Sequence, residues 1–281
     1  MEQLILNGKE VSKKIEEQLK EKVAYLKEKS GKNASLATII VGNNPASQTY
    51  VRMKGNACER IGINSVKVEL DENTTTEELL KVIEDLNNDE NIDGILLQHP
   101  VPRQIDERKC FNSIHPSKDV DGVTSAGFGA MSMGEEAYVS ATPFGIIKLL
   151  EHYNIELEGK KVIVIGRSAI LGKPIAMLLL NKNATVTIAH SKTKDLEKHV
   201  KEADIVVACV GKPKFVKKEW LKKGVVIVDA GYNPGNVGDV DLENAVELAS
   251  AYTPVPGGVG PMTIVSLIYQ TVQSFEKRIS K

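Results

Sequence analysis

The chain has 281 residues, room for two ordinary domains, and its 42% apolar and 26% charged residues are those of a globular protein. A net charge of −1 offers no basic field for nucleic acid, and no apolar run reaches the roughly 18 residues of a membrane helix. Three scattered cysteines, Cys58, Cys110 and Cys209, match no zinc spacing and fit a reducing compartment. The opening MEQLILNGKEVSKK lacks a long apolar core and a small-residue cleavage site, so we read no signal peptide and expect a cytoplasmic protein.

Val11, Ile15, Leu19, Val23 and Leu26 recur at helical period, which predicts a surface helix over Lys9–Lys29, ended by Gly31. Leu36–Val41 reads as a buried strand. Asn44-Pro45 supplies a cap and a first-turn proline for a helix running to Gly62. Val66–Leu70 alternates like a strand. Thr75 and Glu78 form a capping box for Thr76–Asn87, and Ile95–Leu97 is a third strand with Gln98 at its carboxyl end. The segment from Lys118 to Gly134 has little periodicity and reads as functional or mobile loop. Thr142-Pro143 caps a helix over Phe144–His152, and the domain switch falls nearby. Further strands follow at Val162–Ile165, Ala184–Ala189, Ile205–Val210 and Val225–Asp229, with helices between, and a final helix spans Met262–Ile279. This alternation predicts an α/β protein with parallel sheets, whose ligands collect at the carboxyl ends of strands.

The stretch from Lys160 to Thr193 is a strand, a glycine turn at Gly166, an apolar helix from Pro174 to Leu180, and a second strand. Such a unit places backbone N–H groups and a helix N-terminus around a phosphate. Neither G-x-G-x-x-G nor a P-loop is present. Five residues separate Gly166 from Gly172, and Lys173 precedes Pro174 rather than Ser or Thr. The stretch is therefore either a ligand-free turn or a dinucleotide site, and nucleotide hydrolysis is disfavoured. His190-Ser191-Lys192-Thr193 ends the second strand without the acid an NAD ribose would want. A hydroxyl and a cation there, with Arg167 from the first turn, suit the 2′-phosphate of NADP. Taken singly, His190 and Lys192 read equally well as a solvated loop.

Tyr50 and Lys54 share a helix face with the apolar Ala57 and Ile61. Lys54 is either a snorkelling surface lysine or one whose pKa is lowered by burial. Tyr-x-x-x-Lys is also the short-chain dehydrogenase pair, but there it follows the glycine turn, whereas here it precedes it. Asp119 and Asp121 flank a valine before Gly122, a spacing that also makes an ordinary turn. His99, His115, His152 and His199 show no metal or triad spacing, and no metal site is expected.

Several blocks, in order along nearly the whole chain, are similar to the bifunctional methylenetetrahydrofolate dehydrogenase/cyclohydrolase family. They are Tyr50-Val-Arg-Met-Lys54; Gln98 before Pro-Val-Pro; Lys118-Asp-Val-Asp-Gly122; Thr142-Pro143; Gly166-Arg-Ser168 with Gly172-Lys-Pro174; His190-Ser-Lys-Thr193; Asp229-Ala-Gly231; and Thr253-Pro-Val-Pro-Gly-Gly-Val-Gly-Pro-Met-Thr263. The resemblance implies two α/β domains around a cleft, the second a Rossmann-like doubly wound parallel sheet. A folate-binding domain would span 1–140 plus the C-terminal helix 262–281, and an NADP-binding domain 141–261. It implies oxidation of 5,10-methylenetetrahydrofolate with NADP, then hydrolysis to 10-formyltetrahydrofolate, by a cytoplasmic homodimer that engages neither nucleic acid nor membrane.

By the same resemblance Lys54 is the catalytic lysine, Tyr50 lines the folate pocket, Gln98 supports the lysine and Asp121 holds the pterin. Gly166, Arg167, Ser168, Ser191 and Tyr232 fall on NADP positions, and Pro256 and Gly257 on the loop bordering the folate. Three residues depart from the family's usual pattern: Ala141 for cysteine, Gly127 for asparagine and His99 for leucine. They put local packing and folate affinity in question more than the reaction. A catalytically silent NADP-binding regulator is the competing reading, and intact Lys54, Gln98 and Asp121 speak against it.

Overall fold

The computed structural model describes residues 3–280. In chain order the elements are β1 (Leu4–Ile5), α1 (Gly8–Ser30), β2 (Ser35–Val41), α2 (Pro45–Ile61), β3 (Asn64–Leu70), α3 (Thr76–Asn88), β4 (Gly94–Leu97), α4 (Glu107–Ser113), α5 (Ser125–Ser132) and α6 (Ala141–His152). There follow β5 (Lys161–Ile165), α7 (Gly172–Asn181), β6 (Thr185–Ala189), α8 (Leu196–Glu202), β7 (Ile205–Ala208), β8 (Val225–Asp229), α9 (Leu242–Ala245), β9 (Ala249–Tyr252) and α10 (Val259–Ile279). No helix among the described residues is long and apolar enough to cross a membrane.

The chain divides into two compact units. One holds residues 14–141 and 264–280, built on a parallel sheet of order β3-β2-β4. Its central strand, SLATIIV, is buried along its whole length, as a parallel strand covered on both faces must be. Local signals fix its helices. Asn44 Oδ1 accepts from the amides of Ala46 and Ser47 at 3.0 and 3.1 Å, with Pro45 in the first turn of α2. Gly62 ends α2 in the left-handed region at φ 89°. The Thr75–Glu78 capping box starts α3.

The other unit holds residues 3–13 and 142–263, on a six-stranded parallel sheet of order β1-β9-β8-β7-β5-β6. Strand order reverses at β5, with β6 on one side and β7 on the other. This is the doubly wound arrangement, which opens a crevice beyond the carboxyl ends of β5 and β7. Strand order also reverses at β2 in the smaller sheet, beyond the ends of β2 and β4.

Four features differ from the sequence expectations. The N-terminal residues, expected with the first domain, belong to the six-stranded unit because Leu4 and Ile5 pair in parallel with Ala251 and Tyr252. A two-residue strand such as β1 carries no alternation to be read from sequence. Part of the glycine-rich stretch expected to be irregular forms α5, where Thr124 Oγ1 caps the amide of Gly127 at 2.9 Å. Finally, α6 and α10 begin earlier than expected, at Ala141 and Val259, because Pro143 and Pro261 sit where first-turn prolines are tolerated.

Candidate active site

In the three-stranded unit, α2 presents Lys54 toward the switch point between β2 and β4. The side chain is only 8% exposed, and its Nζ donates to Gln98 Oε1 at 3.0 Å. Gln98 is the first residue past β4, where its amide nitrogen still donates to Ile39 O on β2 at 2.9 Å. The side-chain amide is oriented from both ends. Nε2 donates to the His99 carbonyl at 2.7 Å, which leaves Oε1 for the lysine. Tyr50 lies one turn before Lys54 and is exposed.

Burial pushes the Lys54 amine below the ordinary lysine range, while the Asp121 carboxylate pulls it back up. Burial also pushes the Asp121 carboxyl up to about 6; Lys54 opposes the rise, Asp119 adds to it and His99 opposes it. Amine and carboxyl are thus moved toward each other and toward neutral pH, the range in which a side chain can both take and give a proton.

The two aspartates of the Asp-Val-Asp-Gly block do different work. Asp119 is 2% exposed, and its two carboxylate oxygens accept from the amides of Val123 and Thr124 at 3.0 Å each. It therefore shapes the turn that carries Asp121. Gly122 completes that turn at φ 62°, where a Cβ would lie 2.2 Å from the Val139 carbonyl carbon. Sequence reasoning missed Gln270 of α10. Its Nε2 donates to Val120 O and Val139 O at 2.7 and 2.8 Å, and its Oε1 accepts from Val139 N at 2.8 Å. A glutamine 150 residues from the turn it braces leaves no local signal.

In the six-stranded unit the turn after β5 is built by two glycines. Gly166 has φ 137°, and a Cβ there would come within 2.4 Å of Cys209 O at the end of β7. A Cβ on Gly172 would meet Gly166 O at 2.4 Å, so this glycine permits close helix-on-strand packing. The helix start differs from a simple anion cradle. Gly172 N donates to Ser168 Oγ at 3.2 Å, Lys173 N to Ser168 O at 3.0 Å, and Pro174 has no N–H. The first turn of α7 thus engages the glycine turn itself, and charged and hydroxyl side chains are left as the contacts for an anion. Arg167 and Ser191 are side chains of these two kinds. Both are exposed, and each stands two residues past the register pair Ile165 and Ala189 on adjacent strands.

Tyr232 follows β8, is 62% exposed, and donates from Oη to Asn236 Oδ1 at 2.9 Å. Its loop is held by two buried carboxylates, Asp229 of the Asp-Ala-Gly block and Asp239, which the sequence did not mark. Asp239 accepts from the amides of Val210, Gly211 and Lys212 at 2.6, 2.9 and 2.9 Å. Asp229 accepts from Gly231, Asp239 and Val240 at 2.8 to 2.9 Å. Pro256 and Gly257 follow β9 in the same unit, and Gly257 O accepts from Lys9 N at 2.9 Å. The structure therefore gathers Lys54, Gln98 and Asp121 in one unit, with Tyr50 on the same helix. It sets Gly166, Arg167, Ser168, Ser191, Tyr232, Pro256 and Gly257 at strand ends of the other. No cluster of three or more His, Cys, Asp or Glu side chains among the described residues is placed to hold a metal.

Two family models match. Residues 6–121 match the catalytic domain, and residues 140–279 the NAD(P)-binding domain, of tetrahydrofolate dehydrogenase/cyclohydrolase. The bifunctional protein FolD of Cellvibrio japonicus is 63% identical over 99% of this chain and 100% of its own length. Among solved structures, the bifunctional FolD methylenetetrahydrofolate dehydrogenase/cyclohydrolase of Campylobacter jejuni is 46% identical, with a TM-score of 0.97 over 99% of this chain and all of that one. The Trypanosoma brucei methylenetetrahydrofolate dehydrogenase-cyclohydrolase, solved with NADP cofactor and an inhibitor, is 36% identical with a TM-score of 0.96 over the full length of both chains. With its buried lysine–glutamine pair, its doubly wound second sheet and these matches over nearly all its length, the chain belongs to the tetrahydrofolate dehydrogenase/cyclohydrolase family.

Proposed function

We propose that this protein oxidises 5,10-methylenetetrahydrofolate to the methenyl form with NADP and then hydrolyses that product to 10-formyltetrahydrofolate, in one-carbon metabolism. The observation that carries the reading is a desolvated amine, Lys54, hydrogen-bonded to Gln98 and within the field of the Asp121 carboxyl.

The residues beyond β5 and β6 fit a dinucleotide with a 2′-phosphate. Gly166 and Gly172 bring strand, turn and helix into close contact, and Arg167 and Ser191 offer a guanidinium and a hydroxyl at adjacent strand ends. Bound NADP supplies the hydride acceptor. The methylene carbon lies between two nitrogens whose lone pairs stabilise the cation left behind, and no O–H or N–H proton departs. The protein's task in this step is to orient the substrate. Asp121 would hold the pterin by hydrogen bonds, Tyr50 would line the ring, and Pro256 and Gly257 would border the folate.

Hydrolysis makes the heavier demand. Water adds to the methenyl carbon and loses a proton, and one ring nitrogen must then gain a proton as its bond to carbon breaks. The Lys54 amine, its proton affinity lowered by burial, takes the first proton and returns one to the nitrogen. Gln98 Oε1 fixes where the amine stands.

The reading extends to a division of labour between residues 14–141, as the folate side, and 142–263, as the NADP side. It extends also to a cytoplasmic homodimer paired through the cofactor domain, which engages neither nucleic acid nor membrane. The resemblance carries the dimer; the net charge of −1 and three free cysteines support the rest. The deciding experiment follows reduced NADP formation from methylenetetrahydrofolate and, separately, the decay of added methenyltetrahydrofolate. Turnover in both is expected, and turnover in neither would sink the reading in favour of a silent NADP-binding protein. Sedimentation at several concentrations tests the dimer.

A further inference from the structure

The first turn of α4 touches both loops that carry the reactive groups of the three-stranded unit. Glu107 Oε1 lies 2.6 Å from His99 Nδ1 and accepts from the Val101 amide at 3.4 Å, so one carboxylate oxygen holds the residues on either side of Pro100. The His99 carbonyl in that loop receives Gln98 Nε2 and thereby turns Gln98 Oε1 toward Lys54. The next residue, Arg108, donates from its guanidinium to Val123 O at 2.7 Å, two residues past Asp121.

The turn itself is anchored from behind. Asp106 Oδ1 caps the Lys109 amide at 3.0 Å, and Asp106 N donates to Thr76 Oγ1 at the start of α3 at 2.9 Å. Gln104 Nε2 donates to Glu72 O and Thr74 O at 2.6 and 3.2 Å. Adjacent side chains on an anchored turn thus reach, one to each side, the loop of Gln98 and the loop of Asp121.

We propose that Glu107 and Arg108 are positioning residues. Acting as a two-armed bracket, they set the placement of Gln98 and Asp121 about Lys54, and so tune the hydrolytic step more than hydride transfer. Neither is a catalytic residue: Glu107 acts through His99 on Gln98, and Arg108 acts through the Val123 carbonyl on the Asp121 turn. His99, which departs from the family's usual leucine, is the part of the bracket that gives Glu107 a ring N–H to hold. This rests on the folate reading above, in which hydrolysis leans on Lys54 and the oxidation does not.

The test is the kcat of each half-reaction in Glu107→Ala, Arg108→Met, His99→Leu and the conservative variants Glu107→Gln and Arg108→Lys. Misplacing a reacting group costs rate steeply, so Glu107→Ala should lower cyclohydrolase kcat about threefold with dehydrogenase kcat held within about twofold, and Arg108→Met, which acts on the residue that would hold the pterin, should lower cyclohydrolase kcat about tenfold and dehydrogenase kcat less, with KM for folate raised in both assays. His99→Leu should match Glu107→Ala. Arg108→Lys and Glu107→Gln keep a donor and an acceptor and should recover most of the loss. A merely structural role would lower both activities together as folded protein is lost, without moving their ratio. That result, or an unchanged ratio in all variants, would overturn the bracket while wild-type turnover leaves the folate reading standing. Glu107 is partly solvent-exposed and its loss leaves the core untouched, so Glu107→Ala carries the test if Arg108→Met fails to fold.

Discussion

Beyond the strand ends of the three-stranded sheet, the reactive groups are desolvated and tied to one another: Lys54 to Gln98, Gln98 to the His99 carbonyl, and the Asp121 turn to Asp119 and Gln270. Beyond the strand ends of the six-stranded sheet, the backbone is just as tightly held, by Asp229, Asp239 and the two glycines, but Arg167, Ser191 and Tyr232 stand in solvent. On the proposed function, the contrast follows from the two jobs. Proton transfer needs side chains whose affinities are tuned in advance, and burial does the tuning. Hydride transfer draws its chemistry from the cofactor, so the protein supplies a shaped backbone and charged side chains that find their partner on binding.

The largest break in this comparison is Lys54→Met. It removes the tuned amine and nothing on the cofactor side. Cyclohydrolase turnover should fall by about a thousandfold, the middle of the range for a general acid–base group, with dehydrogenase turnover held within about tenfold. Equal loss in separate assays of the two steps would end the division of labour. The next largest effect lies in the other unit. Gly166→Ala places a methyl against the Cys209 carbonyl and forces a side chain into a positive-φ backbone region that L residues rarely adopt. Chemical denaturation should show a loss of about 3 kcal/mol, with KM for NADP rising more than KM for folate.

A smaller effect sharpens the cofactor side alone. Arg167→Ala with Ser191→Ala should lower kcat/KM for NADP about thirtyfold, some 2 kcal/mol of charge-assisted hydrogen bonding, and leave that for NAD nearly unchanged. The kcat/KM ratio for the two cofactors reads this directly. If the double variant keeps its preference, these residues do not meet the 2′-phosphate.

Local chemistry was legible in the sequence and long-range chemistry was not. Asn44-Pro45 and the Thr75–Glu78 box announce their helices because cap and capped amide lie within three residues. Strand and helix alternation gave the parallel architecture of both sheets. What failed was short or distant. The pairing of β1 with β9 joins residues about 250 positions apart through only two residue pairs. The Lys54–Gln98 bond spans 44 positions, so residue spacing left Lys54 open between surface and site, and only the family resemblance singled it out. The first turn of α4 and the Asp239 clasp went unseen because their partners are backbone groups, which every residue carries and no sequence pattern marks. His190 shows the same limit. Its Nδ1 accepts from Lys192 N at 3.2 Å, which places it in the turn that presents Ser191, a role no spacing rule distinguishes from a solvated loop.

The smallest effect compares the two units by pH. Burial raises both Asp121 and Asp229 to about 6 from the ordinary 3.8, so each binds its proton more tightly folded than unfolded. Such a group adds stability that is fully present below pH 3.8 and lost as pH rises through about 6. Stability should therefore rise as pH falls from 7 to 5. The lowered carboxyls of Glu78 and Asp204 work the other way, but only as pH falls through values below their ordinary 4.5 and 3.8, outside this window. Asp229 is 1% exposed and three backbone amides hold its carboxylate, so Asp229→Asn weakens the clasp but no longer titrates. The stability of the wild type relative to this variant should grow by about 1 kcal/mol between pH 7 and pH 5 in chemical denaturation, since each pKa unit is worth about 1.4 kcal/mol. A flat difference would mean that the three amides outweigh burial and keep Asp229 ionised throughout, leaving Asp121, beside its lysine, as the carboxyl to titrate in this range.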